Sequence, residues 1–262
     1  MSTIEFAFQA SENVGAPPLL LVHGALSSRN HWLANWDGLV RHFRLIAVDL
    51  PGHGDTSVPP ERDSLHPDNL AAALEALRER LGIERWAICG QSFGAGITLR
   101  YALAHPERTV AQVFTNANAA LKRPYGPPEY ERLASRLARI RSEGAAAIAA
   151  EPFHPRHAKR FAAEHRDVLA QDAAAIDPEV FADLLETALP HLGLRSVLDQ
   201  TRVPTLLVNG RWESAFQPLR DWIAGAVPGI EVVDLEGGHS INIEQPEAFN
   251  AAVIDFLGRA WR

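Results

Sequence analysis

The sequence has little cysteine, no long apolar run and no excess of positive charge. Its one cysteine, Cys89, excludes an intrachain disulfide and excludes zinc or iron–sulfur sites built from several cysteines. No apolar run approaches the roughly 20 residues that a membrane-spanning helix needs. Acidic residues outnumber basic ones by 32 to 25, which gives a formal net charge of −7. Such a chain lacks the basic face that binds nucleic-acid phosphates, so we expect no nucleic-acid partner.

The start of the chain also lacks the basic and apolar regions of a secretory signal peptide, so we expect a cytoplasmic protein. Apolar residues make up 47% of the 262 residues, which excludes a disordered chain. This length fits one α/β or all-β domain with an insertion, or two small domains. A chain of this size buries enough surface to fold without disulfide crosslinks or a structural metal ion.

Short apolar runs recur along the chain, with amphipathic helical patterns between them. The runs do not alternate with polar residues, which is typical of parallel strands covered on both faces. Leu70, Leu74, Leu77 and Leu81 share one face of a helix that Gly82 can end. This alternation predicts an α/β fold with a mostly parallel, doubly wound sheet. The predicted strands are Leu19–Val22, Leu45–Val48, Trp86–Cys89, Val110–Phe114, Thr205–Val208 and Glu231–Leu235.

Strand-like runs are missing between about residues 119 and 200. This segment is rich in Ala, Arg and Glu, and Tyr130, Leu133, Leu137 and Ile140 fall on one helical face. We therefore predict a helical insertion over 119–200, which divides an α/β core into residues 1–118 and 201–262.

The strongest functional signal is Gly90-Gln-Ser92-Phe-Gly94, which lies between a predicted strand and a predicted helix. This context is the one that a G-x-S-x-G nucleophile turn requires. Side chains two residues on either side of the serine would clash in so tight a turn, hence the glycines. Ser92 would project above the carboxyl edge of the sheet, where open α/β sheets bind ligands. We predict Ser92 as a nucleophile; the alternative is a glycine-rich turn with a capping serine.

A serine hydroxyl is a weak nucleophile near neutral pH and needs a base. Among the 11 histidines, His239 is the best placed, because it follows the predicted strand Glu231–Leu235 and precedes the last helical pattern. It would lie at the same edge of the sheet as Ser92. The alternative is a histidine that serves only as a turn residue.

The base needs an acid that orients it and stabilises its charged form. Glu213 follows the strand pattern that precedes the one leading to His239. The competing position, Thr115-Asn-Ala-Asn118, carries amides and no carboxylate. We therefore predict Glu213 as the acid, with Asp49 and Glu244 as the next candidates.

An oxyanion hole needs two backbone N–H groups aimed at the developing charge. One donor should be Phe93, the residue after the nucleophile. The other should come from the loop after the first predicted strand, where we expect the Ala25 amide to donate and Gly24 to let the backbone approach the substrate. We interpret His23 as a residue that holds this loop.

Together these residues resemble the α/β-hydrolase superfamily, in its serine-nucleophile, lid-bearing esterase, lactonase and carbon–carbon hydrolase branches. The order Ser92, Glu213, His239 is the order of that superfamily, although most relatives have Asp where this chain has Glu213, and Ala95 replaces a commoner Gly. The resemblance implies an α/β-hydrolase fold whose helical lid is the 119–200 segment. The similarity spans residues 15–118 and 203–258 and includes His23-Gly24 with Ser28 and Trp32, Asp49–Ser57, Gly238-His239 and Gln245-Pro246.

We therefore predict a serine hydrolase without a cofactor or metal, which cleaves a small carboxylic ester, lactone or thioester through an acyl-enzyme. Two alternatives stay open. One is a carbon–carbon bond hydrolase of dienoic ring-fission products, and the other is a small-molecule receptor that keeps the triad and turns over slowly. Haloalkane dehalogenases and epoxide hydrolases of this superfamily have an aspartate as the nucleophile. The resemblance therefore implies that a chain with Ser92 at this position belongs to neither group.

Aromatic residues near the motifs, Phe93, Tyr125, Trp212 and Phe216, suggest an apolar acyl pocket, with Trp212 and Gly24 as substrate-binding candidates. His154, His157 and His165 could suggest a metal, but we interpret them as part of a solvated helix start. A small apolar acyl compound is the expected partner, and a homodimer is left open.

Overall fold

The fold is described from a computed structural model of the chain, over residues 4–262. Residues 1–3, which bear on the signal-peptide prediction, lie outside the described residues. The described residues form one seven-stranded sheet in the order β1-β3-β2-β4-β5-β6-β7. All neighbouring strands are parallel except β1, which pairs antiparallel with β3. The strands are β1 Phe8–Ala10, β2 Pro18–Val22, β3 Arg44–Val48, β4 Trp86–Gly90, β5 Thr109–Phe114, β6 Thr205–Gly210 and β7 Glu231–Leu235.

Helices connect these strands and cover the sheet on both faces. The α-helices are α1 Leu33–Leu39, α2 Pro67–Arg80, α3 Phe93–Ala104, α4 Asn118–Leu121, α5 Pro127–Glu143, α6 Ala145–Ala149, α7 Ala163–Ala174, α8 Pro178–Ala188, α9 Gln217–Ala226, α10 Ile241–Glu244 and α11 Pro246–Ala260. Short 3-10 helices occur at Arg29–Trp32, Arg62–Leu65, Pro106–Arg108, Pro155–His157, Leu189–His191 and Leu198–Gln200.

Strand β2 shows why the central strands have continuous apolar sequences. Leu20 and Val22 pack on the side of helices α2 and α3, whereas Leu19 and Leu21 pack on the side of α1 and α11. All four side chains are buried, because both faces of the strand meet helices. The predicted α/β fold with a mostly parallel, doubly wound sheet is thus confirmed.

Strand β1 is the one strand of the described sheet that the sequence does not predict. It has three residues, pairs only with β3 in the register Phe8 to Val48, and leaves two of its three side chains exposed. Backbone hydrogen bonds to β3 hold it, and such bonds leave no apolar pattern in the sequence.

The segment between β5 and β6 contains only helices and connecting turns. Helices α5 and α8 pack against each other through a small core of their own, which includes Leu137, Ile140 and Phe181. Leu26, from the loop after β2, is fully buried in the same core. We call this strand-free segment, residues 115–204, the helical insertion. Its role as a lid stays a prediction at this point.

Three histidines of the core, His23, His31 and His53, are buried and held in their neutral form. His23 Nε2 accepts from the N–H of Leu50 at 3.0 Å, and His53 Nε2 accepts from the N–H of Leu26 at 3.3 Å. Burial lowers the pKa of His31 and of His53 to about 4, and places the pKa of His23 well below its usual value.

We expect the free energy of unfolding to fall as the pH decreases from about 6.5 to 4. In that window the unfolded chain binds protons at these histidines while the folded chain does not, so each contributes a slope of about 1.4 kcal/mol per pH unit. Urea unfolding at pH 7, 6 and 5 measures it. The variant His53→Gln should show a shallower slope than wild type, and a stability that is flat between pH 7 and 5 would contradict the expectation.

Candidate active site

Ser92 lies at the carboxyl end of β4, in the middle of the sheet, where the strand turns into α3. Its φ is +51°, a conformation that side chains other than glycine rarely adopt. A side chain at Gly90 would lie 2.6 Å from the Cα of Ala95, and one at Gly94 would lie 2.3 Å from the carbonyl oxygen of His23. The two glycines are therefore what allows this turn to pack against α3 and β2.

The structure brings Ser92, His239 and Glu213 together from three different strand ends. The Ser92 Oγ lies 2.9 Å from Nε2 of His239, and Nδ1 of His239 lies 3.0 Å from both carboxylate oxygens of Glu213. Ser92 and His239 are both partly exposed. This is the geometry in which an imidazole can take the serine proton and a carboxylate can stabilise the resulting charge.

Glu213 sits in the loop after β6 and receives further donors from the segment after β5. Asn118 donates to its Oε1 at 2.6 Å, and Asn116 donates to its Oε2 at 2.7 Å. Burial alone would raise the pKa of Glu213, but the bond and charge of His239, together with the two amides, hold that pKa below its ordinary value. The carboxyl is therefore ionised at neutral pH.

His239 follows a tight pair of glycines after β7. A side chain at Gly238 would collide with the guanidinium of Arg160, which comes from the helical insertion. Arg160 forms an ion pair with Glu244, and Oε2 of Glu244 also accepts the N–H of Gly238 at 2.8 Å. An arginine of the insertion thus lies against the loop that carries His239.

The proposed oxyanion donors lie beside Ser92. A side chain at Gly24 would lie 3.1 Å from the Ser92 Cβ, so the loop after β2 is in contact with the turn that carries Ser92. Within residues 4–262, the N–H groups of Ala25 and Phe93 donate to no protein acceptor. Both amides are therefore free for a ligand oxygen.

The loop after β2 is held from two sides. Leu26 has a φ of +54°, and its N–H is bonded to His53. Ser28 Oγ donates to Asp172 of α7 at 2.6 Å, which ties the loop to the helical insertion. His23 has both ring nitrogens bonded to backbone, Nδ1 to Gly24 and Nε2 to Leu50, as expected of a residue that holds the loop.

Asp49 and Glu244, the next candidates for the acid, are bound to other partners. Asp49 is buried and accepts from Arg29 and from the N–H of Asp55, and Glu244 is engaged by Gly238 and Arg160. In the described part of the chain, Glu213 is the carboxylate that contacts His239.

The aromatic candidates are in different environments. Trp212 is 53% exposed, donates to Glu236 at 2.8 Å and lies under Arg160. Phe216 is fully buried, whereas Tyr125 is half-buried and packs with Ala25 against the core of the helical insertion. Trp212 and Gly24 as substrate-binding residues stay predictions.

The described residues contain no group of three or more metal-ligand side chains close enough to hold an ion. His154 differs from the expected solvated helix start, because it is buried and its Nδ1 accepts the N–H of Arg156 as the cap of a 3-10 helix. No helix within residues 4–262 combines the length and apolar character that a membrane span needs.

Asn116, Asn118 and Arg160 contact the site but have no distinct sequence signal. The two asparagines are visible in the sequence only as a strand end without a carboxylate. Their contacts depend on how the loops after β5, β6 and β7 meet a turn of the helical insertion in space.

Comparisons with known proteins give matches over most of the chain. A family model described as the alpha/beta hydrolase fold matches residues 17–246. The chain is 30% identical to an uncharacterized carboxylesterase, Nap, of Bacillus subtilis, over 95% of this chain and 81% of that protein. It is similar to a thermophilic esterase from Thermogutta terrifontis (TM-score 0.83, 26% identity, 98% and 94% of the two chains). It is also similar to an enol-lactonase from Burkholderia xenovorans (TM-score 0.82, 25% identity, 97% of each chain).

Proposed function

Because the chain belongs to the α/β-hydrolase family and is a hydrolase, we propose that it cleaves carboxylic esters, lactones or thioesters through an acyl-enzyme on Ser92. One observation carries the proposal. The hydroxyl of Ser92 lies 2.9 Å from an imidazole nitrogen of His239, whose other nitrogen lies 3.0 Å from both oxygens of Glu213. Hydroxyl, base and acid in this arrangement form the minimal set for acyl transfer.

In the first half of the reaction, the Ser92 Oγ attacks the carbonyl carbon while its proton passes to Nε2 of His239. The carbonyl oxygen becomes an oxyanion and accepts from the N–H groups of Ala25 and Phe93. With an ester, the carbon–oxygen bond to the leaving group then breaks and the leaving alkoxide takes the proton from His239; with a thioester, the carbon–sulfur bond breaks and a thiol leaves in the same way. The products of this half are an alcohol or thiol and an acyl ester of Ser92.

In the second half, water attacks the acyl carbon while His239 accepts one of the water protons. The tetrahedral intermediate collapses, the proton returns to the Ser92 oxygen, and the carboxylic acid leaves. Glu213 stays ionised throughout and stabilises the imidazolium that forms in both halves. No step needs a metal or an organic cofactor.

The proposed acyl pocket lies between the loop after β2 and the helical insertion, which we propose acts as a lid. Ala25, Tyr125 and Leu189 are partly buried and pack against the same apolar core. Apolar, partly accessible side chains beside an oxyanion donor suit a small apolar acyl group. The names of the similar proteins, two esterases and an enol-lactonase, support esters and lactones as the substrate class.

Labelling by a fluorophosphonate and turnover of a substrate panel test this function. The panel contains p-nitrophenyl esters of graded chain length, a lactone, a thioester and a dienoate. Labelling with ester, lactone or thioester turnover supports the proposal. Turnover of the dienoate alone would replace it by carbon–carbon bond hydrolysis, and labelling with no turnover would point to a receptor.

We expect substitutions at Tyr125 and Leu189 to change selectivity rather than chemistry. In an apolar pocket, one methylene group of the substrate is worth roughly tenfold or more in kcat/KM. Truncating a side chain that lines the pocket should change this preference by a similar factor. Tyr125→Ala and Leu189→Ala should therefore shift the ratio of kcat/KM between acetyl and hexanoyl esters by about tenfold, with Ser92 labelling kept. Leu219→Ala is a matched control, since Leu219 is partly buried against the core around α9. Equal losses on every ester in the lid variants would argue against the lid role.

We also propose a cytoplasmic location. The free thiol of Cys89 is buried and is compatible with any compartment. Burial raises the pKa of this thiol, so it stays protonated and unreactive at neutral pH. A homodimer is a further proposal, tested by light scattering of the purified protein.

A further inference from the structure

The carboxylate of Glu213 is held by two asparagines that belong to a neighbouring part of the chain. Asn116 follows β5, and Asn118 is the first residue of α4. Asn118 donates to Oε1 at 2.6 Å and Asn116 to Oε2 at 2.7 Å, while Nδ1 of His239 lies 3.0 Å from each oxygen. Each carboxylate oxygen therefore accepts from one amide, and both oxygens are equally close to Nδ1 of His239.

The backbone fixes the orientation of the Asn116 amide. Its Oδ1 accepts the N–H of Gly210 at 2.9 Å, so its Nδ2 must face Glu213. Asn116 is fully buried, and Gln217 holds the backbone of the acid loop by donating to the Glu213 carbonyl at 3.0 Å. Asn116 thus holds the carboxylate of Glu213, and Gln217 holds its backbone, independently of His239.

We propose that Asn116 and Asn118 are positioning residues of the triad, which hold the ionised Glu213 carboxylate in the plane where it accepts from His239. The inference rests on the proposed function. Glutamate has one more rotatable bond than aspartate, so a glutamate acid has more orientations to restrict. An amide restricts them through a hydrogen bond, whereas an arginine or lysine at the same place would also cancel the charge that stabilises the imidazolium.

The first test is Asn118→Ala, because Asn118 is only partly buried and its loss leaves no backbone partner unpaired. Removing one hydrogen bond to a charged group should lower kcat on a p-nitrophenyl ester by about tenfold, with KM nearly unchanged. Asn116→Ala should act in the same direction but also lower the unfolding midpoint, since Asn116 bonds Gly210 as well. Asn69→Ala is the control, because Asn69 donates one bond to the Asp63 carbonyl on the surface and should leave kcat unchanged.

A double-mutant cycle separates positioning from a merely structural role. If Asn118 acts through Glu213, then Asn118→Ala should cost nothing further in a Glu213→Gln background. A structural role would give the same tenfold loss in both backgrounds, which would overturn the inference. An Asn118→Ala enzyme with wild-type kcat would overturn it too. A Glu213→Gln enzyme with wild-type kcat would rule out Glu213 as the acid and the inference with it, whereas a Ser92→Ala enzyme with wild-type kcat would overturn the proposed function.

Discussion

Ser92→Ala is expected to lower kcat by at least about 10³-fold and to abolish labelling by fluorophosphonates. The variant removes the atom that forms the acyl-enzyme, so only the oxyanion donors and substrate binding remain. Single-turnover and steady-state assays on one p-nitrophenyl ester measure the loss. The fold should be kept, because alanine has the same steric cost as serine at a φ of +51°.

Ser135→Ala is the matched control for this experiment, since Ser135 lies exposed on α5 and bonds only the carbonyl of Glu131. It should behave as wild type in both assays. A Ser92→Ala enzyme that still turned over esters and accepted the label would show that another residue is the nucleophile.

Glu213→Gln should lower kcat by roughly 10²–10⁴, with little change in KM. Both oxygens of Glu213 accept from asparagine amides, so a glutamine must place its own NH₂ against an asparagine NH₂ in either orientation. Its oxygen then remains for one donor only, and the imidazole is no longer held with its proton on Nδ1. In a serine-protease triad, the corresponding amide replacement lowers kcat by about 10⁴-fold.

Glu213→Asp should recover part of this activity, because the charge returns while the reach is shorter. Glu231→Gln serves as the control, since Glu231 is a carboxylate at the start of β7 whose partner is Arg259. Steady-state kcat on one ester, with thermal unfolding of each variant, is the measurement. A Glu213→Gln enzyme within about threefold of wild type would rule out Glu213 as the acid.

The central sheet could be predicted because its strands are buried on both faces. Burial on two sides turns a strand into a continuous apolar run, as in β2 and β4, whose residues are almost all buried. Strand β1 has one neighbour and exposed side chains, so its sequence carries no such pattern. Its position depends on backbone bonds to β3, and the sequence does not display these.

The candidate triad could be proposed because parallel strands all end at one edge of the sheet. Ser92, Glu213 and His239 each follow a predicted strand, so their proximity follows from topology and needs no knowledge of side-chain contacts. Asn118 also follows a predicted strand, but an amide at that place has no role until its contact with Glu213 is known. Arg160 could not be assigned, because its contact with the loop that carries His239 depends on how the helical insertion packs. The sequence shows that this segment is helical, but its amphipathic pattern does not indicate which loop it touches.

Leu26 joins the loop after β2 to the core of the helical insertion. Its side chain is fully buried in the core of the insertion, while its backbone is next to the amide of Ala25. If the Ala25 amide is the proposed oxyanion donor, a substitution that enlarges or shrinks that core should also displace this donor. We therefore expect lid substitutions that widen the range of acyl groups to lower kcat as well. Varying position 26 in the same library should then recover part of the lost rate.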